Sequence, residues 1–145
     1  MQTIFEALRE SHDRQRDLLK KVSQTLGDSP DRRRLYSELK TELKSHADAE
    51  ERSLYARMLE EKTSQPVASH SVHEHHEIDD LLEKLDDMSL SNPNWIRTFG
   101  ELSEKVHHHL KEEEHGTFQV AGKVLSAAEK TALTEVYHDQ KALEA

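Results

Sequence analysis

Shifted by 63 residues, the chain lines up on itself without a gap, and this repeat limits the fold more than any other feature. His12 falls on His75, Asp17-Leu18-Leu19 on Asp80-Leu81-Leu82, and Pro30 on Pro93. Tyr36 falls on Phe99, Glu38-Leu39 on Glu101-Leu102, and Leu43 on Val106. His46 then meets His109, Glu50-Glu51 meets Glu113-Glu114, and Tyr55 meets Phe118. Residues 12–55 against 75–118 give 12 identities. Two generic helical hairpins would match leucines, but not histidine, glutamate, proline and aromatic positions together. The chain therefore reads as two related units, each burying its apolar face against the other.

Each unit has the pattern of two helices. Thr3 followed by Glu6 is a capping box opening a first helix, whose apolar stripe is Ile4, Phe5, Leu8, Leu19, Val22 and Leu26. Gly27 stops it, and Ser29-Pro30 caps and starts a second helix bearing Leu35, Leu39, Leu43, Leu54 and Met58. Pro66 opens a third, with Val72, Ile78, Leu81, Leu82 and Leu85. Asn92-Pro93 opens a fourth, with Phe99, Leu102, Val106, Leu110, Val120 and Val124. Ser126 with Glu129 is a further capping box, predicting a short terminal helix over about residues 127–142. Short connections between long amphipathic helices imply antiparallel neighbours. The expected fold is all-α: an up-down-up-down antiparallel four-helix bundle with a short C-terminal helix. It forms one domain over residues 1–145, with hairpins over about 3–63 and 66–125.

Composition narrows the function. Only four Gly and three Pro occur among 145 residues, which favours long helices. The net charge of −9 argues against nucleic acid and against anionic membranes, since both call for a cationic face. With no cysteine, disulfides, thiolate catalysis and iron–sulfur clusters are excluded. No apolar run approaches the ~20 residues of a membrane span, and the N-terminus does not read as a signal peptide. A soluble cytoplasmic protein is expected. There is no glycine-rich phosphate loop and no nucleophile elbow.

Histidine is abundant, with eleven residues, and the repeat selects among them. It singles out His12, His46 and Glu50 in one half, and His75, His109 and Glu113 in the other. On a helix, residues four apart lie ~40° apart on one face. Glu50 falls near the centre of its helix's apolar stripe, with His46 at the edge. His109 and Glu113 share the stripe of the fourth helix, while Glu114 stands ~90° away. His75 lies inside the stripe of the third helix, and His12 flanks that of the first. Four histidines and two glutamates thus converge inside a narrow bundle, where each unsatisfied polar group costs about 1–3 kcal/mol. Two divalent ions bridged by the carboxylates and held by two imidazoles each would remove that cost. Imidazole with carboxylate suits iron, manganese or zinc. Glu74 and His70 are additional candidates, as metal ligands or as groups behind them. His73, His76, His107, His108, His115 and His138 are expected at the surface, with His108 a candidate donor behind the ligands. Tyr36, Phe99, Tyr55 and Phe118 are expected to pack near the bundle ends. Glu-x-x-His spacings at Glu104 and His107, Glu112 and His115, and Glu135 and His138 do not form the two-helix set of ferritin-like centres.

These blocks resemble those of the hemerythrin-like, or HHE cation-binding, proteins. The resemblance covers residues 3 to about 125. It is carried by SHDRQRDLL around His12, HADAEERSLY from His46, HHEIDDLL from His75 and HLKEEEHGTF from His109. It implies a non-haem di-iron centre, two iron ions of Fe–O–Fe type, with manganese or zinc not excluded. The partner it implies is a small diatomic ligand such as oxygen or nitric oxide. Oxygen-carrying hemerythrins have five histidines, two of them four apart on the third helix; here Ser71 and Asp79 occupy the places four from His75. Fewer histidines leave open positions on the metals, which weighs toward redox chemistry or sensing. The expected function is binding or sensing of a small ligand, iron or redox state. The alternatives are a di-iron enzyme acting on nitric oxide or peroxide, and a structural bundle that retains metal. The oligomeric state is not legible.

Overall fold

The structure is a computed structural model and describes residues 1–144. Helix α1 (Ile4–Ser23) opens on the Thr3–Glu6 capping box. Helix α2 runs from Pro30 to Glu50, widens into a π turn over Glu51–Tyr55, and closes with Ala56–Met58. Helix α3 spans Gln65–Asp86. Helix α4 runs from Pro93 to Glu112, widens into a π turn over Glu113–Thr117, and ends over Phe118–Val124. Helix α5 (Ala127–Glu144) follows, with Ser126 and Glu129 bonded reciprocally at its start. Among the described residues no helix is long and apolar enough to cross a membrane.

Helices α1 to α4 form the four-helix bundle: α1 packs on α2, α3 on α4, and the outer contacts α1–α4 and α2–α3 close it. Helix α5 lies across α1 and α2 and contacts the π turn of α2. Its 18 residues make it longer than the short helix read from the sequence. Leu26 leaves the apolar stripe, being 84% exposed, because α1 ends at Ser23 and the chain turns through Gly27 at φ 52°. That left-handed φ is costless only for glycine.

The core is divided. At one end Leu19, Val22, Leu39, Leu82, Trp95 and Phe99 pack together. At the other, Ile4, Leu8, Leu54, Met58, Ala121 and Tyr137 do so. Each buried aliphatic side chain contributes about 1.5–3 kcal/mol, so these two clusters hold the bundle shut. Between them, every helix of the bundle places histidine or glutamate inside: His12 from α1, His46 and Glu50 from α2, Glu74 and His75 from α3, and His109 and Glu113 from α4.

Candidate metal centre

All four of these histidines are buried, between 0% and 4% exposed. Their two ring nitrogens have different surroundings. Each Nδ1 has a firm partner on another helix. His12 Nδ1 donates to Glu114 at 2.7 Å, and His75 Nδ1 to Glu51 at 2.7 Å. His109 Nδ1 donates to Glu74 at 2.7 Å, and His46 Nδ1 pairs with the Tyr137 hydroxyl at 2.9 Å. Each Nε2 is buried without a hydrogen-bond partner, as are both oxygens of Glu50 and Oε1 of Glu113. In a neutral ring whose proton sits on Nδ1, the Nε2 lone pair is free for a cation in the shared centre. This is the arrangement in which histidine binds metal, with the far nitrogen held by a carboxylate or other acceptor.

The separations carry the same meaning. Glu50 Oε1 stands 3.5 Å from His46 Nε2 and 3.3 Å from His75 Nε2. Glu113 lies 3.0 Å from His12 Nε2 and 3.7 Å from His109 Nε2. Several are too long for a good hydrogen bond. They match the edges between ligands around an ion with bonds of about 2.1 Å, which are about 3 to 3.5 Å. The atoms form two groups: His12, His46, Glu50 and Glu113, and then Glu50, His75 and His109. Glu50 belongs to both.

Burial drives His46 down to about 4 against the pull of Glu50, and burial also lowers His109. Burial opposes the charged form of His75, but Glu50 and Glu51 outweigh it and raise the ring to about 9. Glu113 is pushed well up by burial and by the charge of Glu50. Burial acts against charged Glu50 too, yet His46 and His75 hold it well below the usual carboxylate range. Outside the centre, the bond from His12 holds Glu114 down to about 2, with Arg16 adding to it.

Two aromatic side chains flank the centre. Tyr55 stacks on His75 and donates its hydroxyl to Glu113. Phe118 stacks on His12, with ring centroids 5.9 Å apart. Both also belong to the apolar cluster of Ile4 and Leu8, so they pack at that end of the bundle, as expected, and face the centre as well. An α-helix would turn a residue five places on by ~140°, away from the carboxylate. The π turns that follow Glu50 and begin at Glu113 bring Tyr55 and Phe118 back to the inner face. Tyr36 and Phe99 lie in the apolar cluster at the other end, with Trp95.

The structure brings His12, His46, Glu50, His75, His109 and Glu113 together. Glu74 sits behind His109, while His70 is outside the centre with its side chain 54% exposed. His73, His76, His107, His108, His115 and His138 are exposed. Sequence reasoning does not single out Glu51, Glu114 and Tyr137 as the partners of Nδ1. The doubled Glu-Glu in both repeats is the available signal for the first two.

The family model of the hemerythrin HHE cation binding domain matches residues 3–121. The chain belongs to the hemerythrin HHE cation-binding family. A solved hemerythrin HHE cation binding domain-containing protein from Mycobacterium kansasii shares the fold, with a TM-score of 0.89 at 23% identity. The match covers 99% of this chain and 88% of that one. No curated protein matches the sequence. For this hemerythrin-like chain the residues present fit a metal: buried, unpartnered imidazole and carboxylate atoms converge on one volume.

Proposed function

We propose that this chain is a non-haem di-iron protein that binds or senses a small ligand such as oxygen or nitric oxide, or iron or redox state itself. The observation that carries the reading is the set of four inward Nε2 atoms left unpartnered while every Nδ1 is anchored. His12 and His46 would hold one ion with Glu50 and Glu113; His75 and His109 would hold the other, with Glu50 in both groups. Bound iron would supply open coordination positions for a small ligand and one-electron redox chemistry.

The protein's own part is to hold, orient and exclude. Glu51, Glu74 and Glu114 fix the tautomers of their imidazoles, and these three with Tyr137 fix the ring directions. The apolar clusters on both sides keep water out. Beside His46, His75 and His109 lies a cavity of about 10 Å³, also lined by Gln15, Leu43 and Ile78. That is room for a water-sized guest and not for an organic substrate.

A second reading has one observation in its favour. Tyr55 places a buried phenol on Glu113, beside the atoms that would hold the metals, which suits a redox enzyme acting on nitric oxide or peroxide. The test is metal content per chain after anaerobic iron loading, with absorbance recorded before and after oxygen. Two irons and a stable, reversible ligand adduct are expected. Rapid turnover of peroxide or nitric oxide would favour the enzyme. One ion or none, with an unchanged spectrum, would overturn both readings.

A further inference from the structure

The two hairpins differ on their outer grooves. Between α1 and α2 the groove holds Ala7, Ser11, Ser45 and Ala49, all buried, with α5 laid across it. Adding 63 to each gives His70, Glu74, His108 and Glu112 between α3 and α4. There the side chains of His70, His108 and Glu112 are 54%, 65% and 38% exposed. The small residues that admit a helix on one side are replaced, place for place, by four metal-ligating residues in an open groove on the other.

We propose that His70, Glu74 and Glu112, whose ligand atoms lie within 4.8 Å of one another, form with the neighbouring His108 a separate surface site for one divalent transition cation. The residues come as two His-x-x-x-Glu pairs on neighbouring antiparallel helices. On each helix this spacing puts both side chains on one face. Glu112 sits between the two rings, 2.8 Å from His70 Nε2 and 2.9 Å from His108 Nε2. Glu74 completes the set: its Oε2 lies 3.6 Å from His70 Nε2 and 3.8 Å from His108 Nε2. Those distances exceed a hydrogen bond and approach the ligand edges around an ion with bonds of about 2.1 Å. Glu74 is itself only 3% exposed, so its outward oxygen is held in place by packing. Lys105, which lies nearby, is engaged with Glu77 at 2.9 Å and stands 4.0 Å from Glu74. Two imidazoles with two carboxylates suit zinc and its first-row neighbours.

The site is joined to the centre. Glu74 uses Oε1 to accept from His109 Nδ1 and presents Oε2 to the surface groove. A cation on Oε2 draws negative charge from the bond that orients His109. Occupancy of the surface site therefore alters the affinity of the centre, and loading of the centre alters the surface site by the same factor. This coupling rests on His109 being a ligand of the centre; the surface site itself does not.

The test is equilibrium dialysis of the iron-loaded full chain against zinc, with iron and zinc counted together by elemental analysis. One zinc per chain is expected with the iron retained. His70→Ala and Glu112→Ala should each weaken zinc binding at least tenfold and leave the iron count unchanged. Zinc uptake unaltered in both variants, or no uptake by the parent chain, overturns the proposal. Failure of iron to load, with zinc still lost in the two variants, would sink the di-iron reading and leave the surface site standing.

Discussion

In the hairpin of α3 and α4, His109 gives its Nδ1 proton to Glu74, a carboxylate one helix away. In the hairpin of α1 and α2, the residue in that place is Ser11, too short to reach, and His46 is held instead by Tyr137 of α5. A second difference lies five residues beyond Glu50 and Glu113. Tyr55 bonds to Glu113, whereas Phe118, its counterpart, has no hydroxyl to offer Glu50. The halves thus share ligands but not what stands behind them. His109 is anchored within its own half and His46 by a helix outside the repeat, while His12 and His75 are each anchored from the opposite half. A negative partner strengthens imidazole as a donor to metal more than a neutral phenol does, so the two ions would sit in unequal fields.

The largest effect should come from the residue common to both groups. Glu50→Ala should empty the centre of both irons, while Glu113→Ala should leave the ion of His75, His109 and Glu50 in place. Helical content by circular dichroism should be unchanged in both. Elemental analysis decides: equal iron in the two variants would mean that the carboxylates are interchangeable and the asymmetry is inconsequential.

The next effect separates the two anchors. Tyr137→Phe keeps the ring, which is 1% exposed, but leaves His46 Nδ1 without its partner. Loss of such a partner typically weakens metal binding 10–100-fold. The loss should fall on one of the two ions, seen as a split binding curve in an iron titration. A curve weakened equally at both steps would show that α5 supports the whole bundle and not one histidine.

Tyr55→Phe makes the halves more alike, since Phe then stands in both places. The hydrogen bond to Glu113 is lost, at a cost of about 1 kcal/mol in the metal-free protein. In the loaded protein, two distinguishable iron environments in a Mössbauer spectrum should move closer together. Environments that stay as far apart would place the asymmetry in Glu74 and Tyr137 alone.

Much of this molecule is legible in its sequence, for a physical reason. The bundle follows from apolar periodicity, capping residues and short connections, all of them local signals. The gathering of His12, His46, His75, His109, Glu50 and Glu113 follows because helical phase and the repeat agree. What the sequence hides depends on departures from the ideal helix and on distant chain segments. The π turns at Glu51 and Glu113 rotate Tyr55 and Phe118 inward, and no side-chain periodicity announces such a turn. Helical phase points Glu114 ~90° from the core, yet that same angle lets it meet His12 from the side. Tyr137 lies on a helix with a mixed surface, and its pairing with His46 spans 91 residues.

The smallest effect concerns what stands behind the anchors themselves. Glu114, the partner of His12, is gripped by Arg16 at 2.9 Å. The position matching Arg16 is Asp79, so at that place Glu51, the partner of His75, has a carboxylate of its own sign where Glu114 has a cation. Arg16→Ala should therefore loosen one anchor and has no equivalent in the other half. The pair is partly exposed, 32% and 16% by side chain, and such pairs contribute about 0.2–1 kcal/mol. A stability loss in that range is expected from urea denaturation, falling as salt is added because the pair is screened. The metal-free and loaded proteins should lose similar amounts, since His12 keeps its bond to Glu114 in both. A loss confined to the loaded protein, or one above about 2 kcal/mol, would show that Arg16 sets the direction of the His12 ring, extending the chain of anchors from the centre to the surface.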